Sequence, residues 1–120
     1  MKSPLVSLLI LLTAFYLTIT AILFFTQSYF IFFPREISGN QHSFLKQFKS
    51  NEITLDHDGI SLHGWFIQNE TNPENPLIIY YGGNAEEVSM NLYDLDKFGD
   101  RSLLFMNYRG YGKSEGRPGQ

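Results

Sequence analysis

The sequence predicts an α/β fold: an N-terminal transmembrane helix, then the first strands and one helix of an incomplete, largely parallel sheet. Three observations carry this. No charged side chain occurs from Ser3 to Pro34. Two short runs, Leu77–Tyr81 (LIIYY) and Leu103–Met106 (LLFM), are continuously apolar, as in strands covered on both faces. Between them, a Gly82-Gly83-Asn84 break is followed by apolar residues near helical spacing.

The N-terminal run comes first. Leu5 to Phe25 is about 21 residues, enough to cross a hydrocarbon core of roughly 30 Å as a helix. A cleavable signal peptide would have a shorter apolar region and a small-residue cleavage site. Here Thr26-Gln27-Ser28 leads into more aromatics instead. Tyr29, Phe30, Phe32 and Phe33 suit the interfacial belt of a bilayer. Residues 1–34 therefore read as a membrane anchor with its interfacial segment. Lys2 before the span and Arg35 after it lean toward a cytoplasmic N-terminus and an extracytoplasmic remainder.

Residues 35–50 read as a polar connector with scattered Phe44, Leu45 and Phe48 and room for a helical turn. From Asn51 to Asp56 polar and apolar residues alternate, with Ile53 and Leu55 on one side, which predicts a half-buried strand. His57-Asp58-Gly59 supplies a turn, and Ile60–Ile67 returns as the second strand of a hairpin. Asn69 to Pro76 is a loop by composition. After LIIYY, a helix is expected over Ala85–Phe98, with Glu86 and Glu87 in its first turn against the helix dipole and Gly99 ending it. Strand, glycine turn, helix and strand make a βαβ unit. Only one clear helix is available for a sheet that needs cover on both faces. Residues 51–120 thus read as the N-terminal portion of a larger, truncated domain, completed by a missing C-terminal half or by another chain.

The net charge of −3 offers no basic face for nucleic acid. The absence of cysteine excludes a disulfide framework and a thiolate metal site. Asp56-His57-Asp58 with His63 is ordinary turn chemistry, and no three converging metal ligands can be argued.

Gly112-Lys113-Ser114-Glu115-Gly116 spells G-x-S-x-G and also contains the tail of a phosphate loop. The phosphate reading fails because Asn107 stands where its first glycine belongs and no helix opens after Lys113. The nucleophile reading fails because Ser114 lacks the flanking strand and helix, and all three histidines lie upstream of it. What is left is a glycine-rich loop at a strand's carboxyl end, whose glycines allow unusual backbone angles and whose Arg109 can bond a carbonyl or a carboxylate.

Two stretches resemble a known family. Tyr80–Glu86 (YYGGNAE) resembles the H-G-N-A segment of α/β-hydrolases, and Asn107–Gly116 (NYRGYGKSEG) resembles their D-Y-R-G-Y-G-x-S-x-G loop. Leu62-His63-Gly64-Trp65-Phe66 resembles their L-x-G-W-F strand. The likeness is nearest to membrane-anchored, lysophospholipase- or peptidase-like serine hydrolases and runs the length of the chain. It implies an incomplete α/β-hydrolase sheet and, for the intact protein, esterase, lipase or peptidase chemistry through an acyl-enzyme, with no cofactor. It places the backbone N–H of Asn84 in the oxyanion hole, with Gly82, Gly83, Arg109, Gly110 and Gly112 in the supporting loops. The glycine turn alone would also account for Gly82 and Gly83. Two positions depart from the family: its usual histidine is Gly82 here and its usual aspartate is Asn107. The nucleophile, acid and histidine are expected beyond Gln120, so this chain alone is expected to be inactive. The rival expectation is a non-enzymatic, membrane-tethered interaction module that binds a partner through its uncovered sheet face.

Overall fold

A computed structural model describes residues 3–119. They form two compact units, divided between Ile31 and Phe32.

The first unit is helix α1, Pro4–Ile31. Ser3 caps it by accepting the Val6 N–H at 3.3 Å, and Pro4 sits at the first helical position, where no amide hydrogen is needed. Its 28 residues span about 42 Å. No residue in it is charged, and apolar side chains are exposed around its whole circumference. Thr18 and Thr26 return their hydroxyls to the carbonyls of Ala14 and Ile22, at 2.8 and 2.7 Å, so those polar groups are satisfied within the helix. The helix is long and apolar enough to cross a membrane. It continues past Phe25 and takes in Tyr29 and Phe30.

The second unit is a mixed four-stranded sheet with short helices, a partial α/β fold. The strands are β1 (Glu52–His57), β2 (Ile60–Ile67), β3 (Leu77–Tyr81) and β4 (Ser102–Met106), in the order β1-β2-β4-β3. The hairpin turn is two residues, Asp58 (φ 54°) and Gly59 (φ 74°). Positive φ at both central positions gives the twist that antiparallel strands require. His57 therefore belongs to β1, not to the turn. β3 and β4 pair parallel, as a βαβ unit requires, and β2 pairs antiparallel with β4.

Register and alternation divide the sheet into two faces. Trp65, Phe105 and Tyr80 form one cross-strand row; Ile67, Leu103 and Ile78 form the next. These rows share a core with Val88, Leu92 and Leu45, and Leu95, Phe98, Ile37, Phe44 and Phe48 pack against it. The stretch read as a connector is thus helical from Gly39 to Asn51, with α2 at His42–Leu45, and it covers this face. The opposite face carries Leu55, Leu77, Ile79 and Tyr81, each about half exposed. Ile53 and Leu55 do share a side, but it is this open side, so Leu55 is not buried.

The helix expected over Ala85–Phe98 begins later and is tighter. It is a 3₁₀ helix, Val88–Phe98, kinked at Asp94 (φ −124°, ψ 30°) and closed by Gly99. Residues 83–86 are used by a turn, and Ser89, Asn91, Tyr93, Asp94 and Asp96 are weak helix formers.

Gly64 is the one interior strand position where the neighbouring backbone comes too close for a side chain. A Cβ there would overlap the Phe105 carbonyl oxygen and stand 2.5 Å from Met106 Sδ. Gly64→Ala is expected to destabilise the second unit by about 1–3 kcal/mol, as overpacking does. Urea unfolding of the full chain in detergent, followed by fluorescence of the single, fully buried Trp65, checks this. An unchanged midpoint would contradict it.

Candidate functional site

Because β3 and β4 run parallel, their carboxyl ends lie side by side. The 82–86 turn leaves β3 there and the 107–116 loop leaves β4 there. The residues singled out by sequence, Gly82, Gly83 and Asn84 in one and Arg109, Gly110 and Gly112 in the other, are thus brought to one end of the sheet.

The turn is held from several directions. The Glu86 N–H donates to the Gly83 carbonyl at 3.1 Å. The peptide group is planar, so fixing that carbonyl also fixes the plane that carries the Asn84 N–H. The Glu86 carboxylate accepts the Gly83 N–H at 3.0 Å, the Tyr80 hydroxyl at 2.9 Å and the Asn91 amide at 2.8 Å. Burial works against charge on Glu86, but these donors outweigh it and hold its carboxyl below the usual range. Burial and the same carboxylate push the Tyr80 hydroxyl up. The Asn84 carbonyl accepts from Tyr111 Oη at 2.5 Å and from the Phe33 N–H at 2.9 Å. Asn84 is exposed in the turn and is not at a helix start, since the helix begins four residues later. Glu86 and Glu87 are likewise outside its first turn. Gly82 uses no left-handed angle; a Cβ there would be tightly placed, 3.0 Å from the Glu86 carbonyl and 3.2 Å from Val88 Cγ1.

Behind the turn is a buried polar hub that the sequence did not reveal. Glu87, buried, caps the helix by accepting the Ser89 N–H at 3.1 Å and also bonds the Ser89 hydroxyl. Asn107, 1% exposed, donates its amide to Glu87 Oε1 at 2.9 Å and accepts the Val88 N–H at 3.1 Å. An aspartate at 107 would put a second carboxylate against the first; the amide supplies a donor instead. Asn107 therefore pairs with Glu87 and not with Arg109. Gly112 has φ 56°, and a Cβ there would stand 2.5 Å from Asn107 Nδ2 and 3.0 Å from Glu87 Oε1, so only glycine lets the loop close over the hub. The only readable signal was the coincidence of an acid at 87 with an amide where a carboxylate is usual.

The remaining loop is pinned along β2. Ser114 is buried, and its Oγ accepts the His63 N–H at 2.9 Å and donates to the Asn107 carbonyl at 3.3 Å. Its hydroxyl is thus held by backbone, not activated by an imidazole. Lys113 Nζ bonds Glu52 Oε1 at 2.6 Å, and Lys49 bonds its other oxygen at 2.8 Å. Burial opposes ionisation of Glu52, yet the two ammonium groups hold its carboxyl down to about 2. The His63 ring is buried edge-on to Trp65 at 4.4 Å, and neither of its nitrogens has a hydrogen-bond partner among the described residues. Burial, aided by Lys113, pushes its pKa below 6.5 despite Glu52 at 3.8 Å. Arg109 is half-buried, and its guanidinium bonds no carbonyl or carboxylate among the described residues, contrary to the sequence expectation.

Comparison with known proteins gives partial matches. The chain is 43% identical over 68 residues to the Salmonella typhi protein YfhR, covering 52% of this chain and 23% of that one. It is 33% identical over 66 residues to the alpha/beta hydrolase domain-containing protein WAV2 of Arabidopsis thaliana, covering 52% and 21%. A Mycobacterium tuberculosis protein matches at 36% over 66 residues, covering 52% and 23%. The chain thus spans less than a quarter of the length of these relatives. No family model matches.

Two outcomes follow from this geometry. Asn107→Asp puts two carboxylates together, so one must stay protonated in the folded state. The variant is expected to match the wild type near pH 4 and to lose about 2–4 kcal/mol by pH 8, because a raised folded pKa costs stability as pH rises. Thermal melts across pH check this, and a pH-independent difference would contradict it. For the wild type the shifts run the other way. Below about pH 6.5, unfolded His63 takes up a proton that the buried ring resists, and stability falls. A second loss runs from 4.5 toward 2, as Glu52 is forced neutral. His63→Leu is expected to remove the first loss and keep the second.

Proposed function

We propose that this chain is the front portion of a membrane-anchored serine hydrolase of the α/β-hydrolase type. The observation that carries the reading is the turn after β3, where the peptide plane bearing the Asn84 N–H is fixed at the carboxyl ends of the parallel strands β3 and β4. A donor there suits the developing oxyanion of acyl transfer. The partial match to a protein named for an alpha/beta hydrolase domain supports it, as does the greater length of the relatives. In this reading α1 crosses the membrane with its N-terminus cytoplasmic, and later segments cover the open sheet face. Those segments also supply the nucleophile, acid and histidine. The 120-residue chain alone performs no acyl transfer. A second reading, a tethered module binding another chain, is favoured only by the exposed Leu55, Leu77, Ile79 and Tyr81.

The reading frame downstream of Gln120 separates the two. A continuing frame with a strand, G-x-S-x-G and a helix supports the hydrolase; a stop codon with stable protein in the cell supports the module. The protein encoded by the continuing frame is expected to react with a fluorophosphonate, and the 120-residue chain to stay unlabelled. In the longer protein, Asn84→Pro, which removes the N–H, should lower kcat about 100- to 1,000-fold, while Asn84→Ala should keep most of it. Equal loss in both variants, or labelling of Ser114 in the short chain, would contradict the proposal.

A further inference from the structure

A pocket of about 290 Å³ opens at the carboxyl ends of β3 and β4, where open α/β sheets commonly bind ligands. Its walls include Phe32, Leu62, Tyr81, Tyr108, Pro118 and Arg109. Tyr81 and Tyr108 stack at 5.6 Å and are each about half exposed, so two aromatic faces stand open to an incoming group. Arg109 is the one charged residue of this lining. It is half-buried and has no hydrogen bond or ion pair with any described residue. A guanidinium partly withdrawn from water, with no counter-ion among the described residues, gains most from an anion that can take two of its N–H groups. The other walls are chiefly apolar and aromatic, so the ligand they fit carries methylenes next to its charge. The volume is at the lower limit for small-ligand sites; it suits a head and the first part of one chain, not a two-chain lipid.

We propose that the pocket binds the anionic head of a single-chain amphiphile, with Arg109 as counter-ion and Phe32, Tyr81 and Tyr108 against the adjoining methylenes. The shared chemistry is one anionic oxygen group on one alkyl chain, whether a fatty-acid carboxylate or a lysolipid phosphate. This is a binding site, and it stands or falls without reference to hydrolysis.

The test uses the full chain in phosphatidylcholine nanodiscs, titrated calorimetrically with dodecanoate, lysophosphatidate and neutral monododecanoylglycerol, with empty discs subtracted. Saturable binding is expected for at least one anion and not for the neutral glyceride; the tighter anion identifies the head. Arg109→Ala is expected to weaken that binding about tenfold or more, the size of a lost hydrogen bond to a charged group, while Arg109→Lys keeps part of it. Trp65 emission, unchanged in both variants, shows that the fold is intact. Equal binding of the neutral glyceride, uptake no greater than by empty discs, or undiminished binding by Arg109→Ala would each overturn the proposal.

Discussion

Strands that are apolar on both sides need cover on both sides, and here one side has it in full. On the other, Met106 is buried but Leu55, Leu77, Ile79 and Tyr81 stay about half exposed. The rows Trp65–Phe105–Tyr80 and Ile67–Leu103–Ile78 are shielded by the 3₁₀ helix and by the helical turns of residues 39–51. Trp65 and Phe105 are wholly buried as a result. Burying one large side chain of this kind stabilises by about 1.5–3 kcal/mol. Ile79 and Tyr81, one position away in the same strand, face the other way and stay exposed. An exposed apolar face on an otherwise packed sheet marks a surface meant for something else.

The second organising feature is the buried carboxylate of Glu87. A buried charge is tolerated only when hydrogen-bonded, and its donors come from Ser89 and Asn107. Asn107 is the first residue after β4, so the strand end, the helix cap and the glycine loop share one set of bonds. Tyr111 extends that set to the Asn84 carbonyl. The geometry of the candidate turn is therefore imposed from the loop after β4 as much as from its own glycines. The buried imidazole of His63, with Glu52 at 3.8 Å, and the doubly bridged Glu52 place the acid-sensitive groups on β2 and β1, against the loop that follows β4.

Much of this architecture was legible because it depends on local pattern. LIIYY needs no context to read as a strand, and Asp58-Gly59 names its own turn. The early lack of charge gave away α1. What escaped depended on distant partners. Nothing in Ala85–Glu87 says that Glu86 turns back to Gly83 or that Val88 donates to Asn107, so the spacing predicts a helix that starts three residues too early. The polar 35–50 stretch hid Leu45, whose burial exists only once the sheet is there. Around Gly82 the Glu86 carbonyl and Val88 leave little room for a side chain, which no local pattern announces. Arg109 is expected from its loop to bond a carbonyl or a carboxylate, and among the described residues it bonds neither.

The sheet has one filled face and one that is open along β3, and adjacent tyrosines on that strand report on it directly. Hydroxyl-radical footprinting of the full chain in nanodiscs, read residue by residue by mass spectrometry, compares Tyr80 with Tyr81 and Ile78 with Ile79. The account predicts that Tyr81 and Ile79 are oxidised several times faster than their neighbours. Equal protection of both members of each pair would show that the second face is covered, and the claim would be wrong.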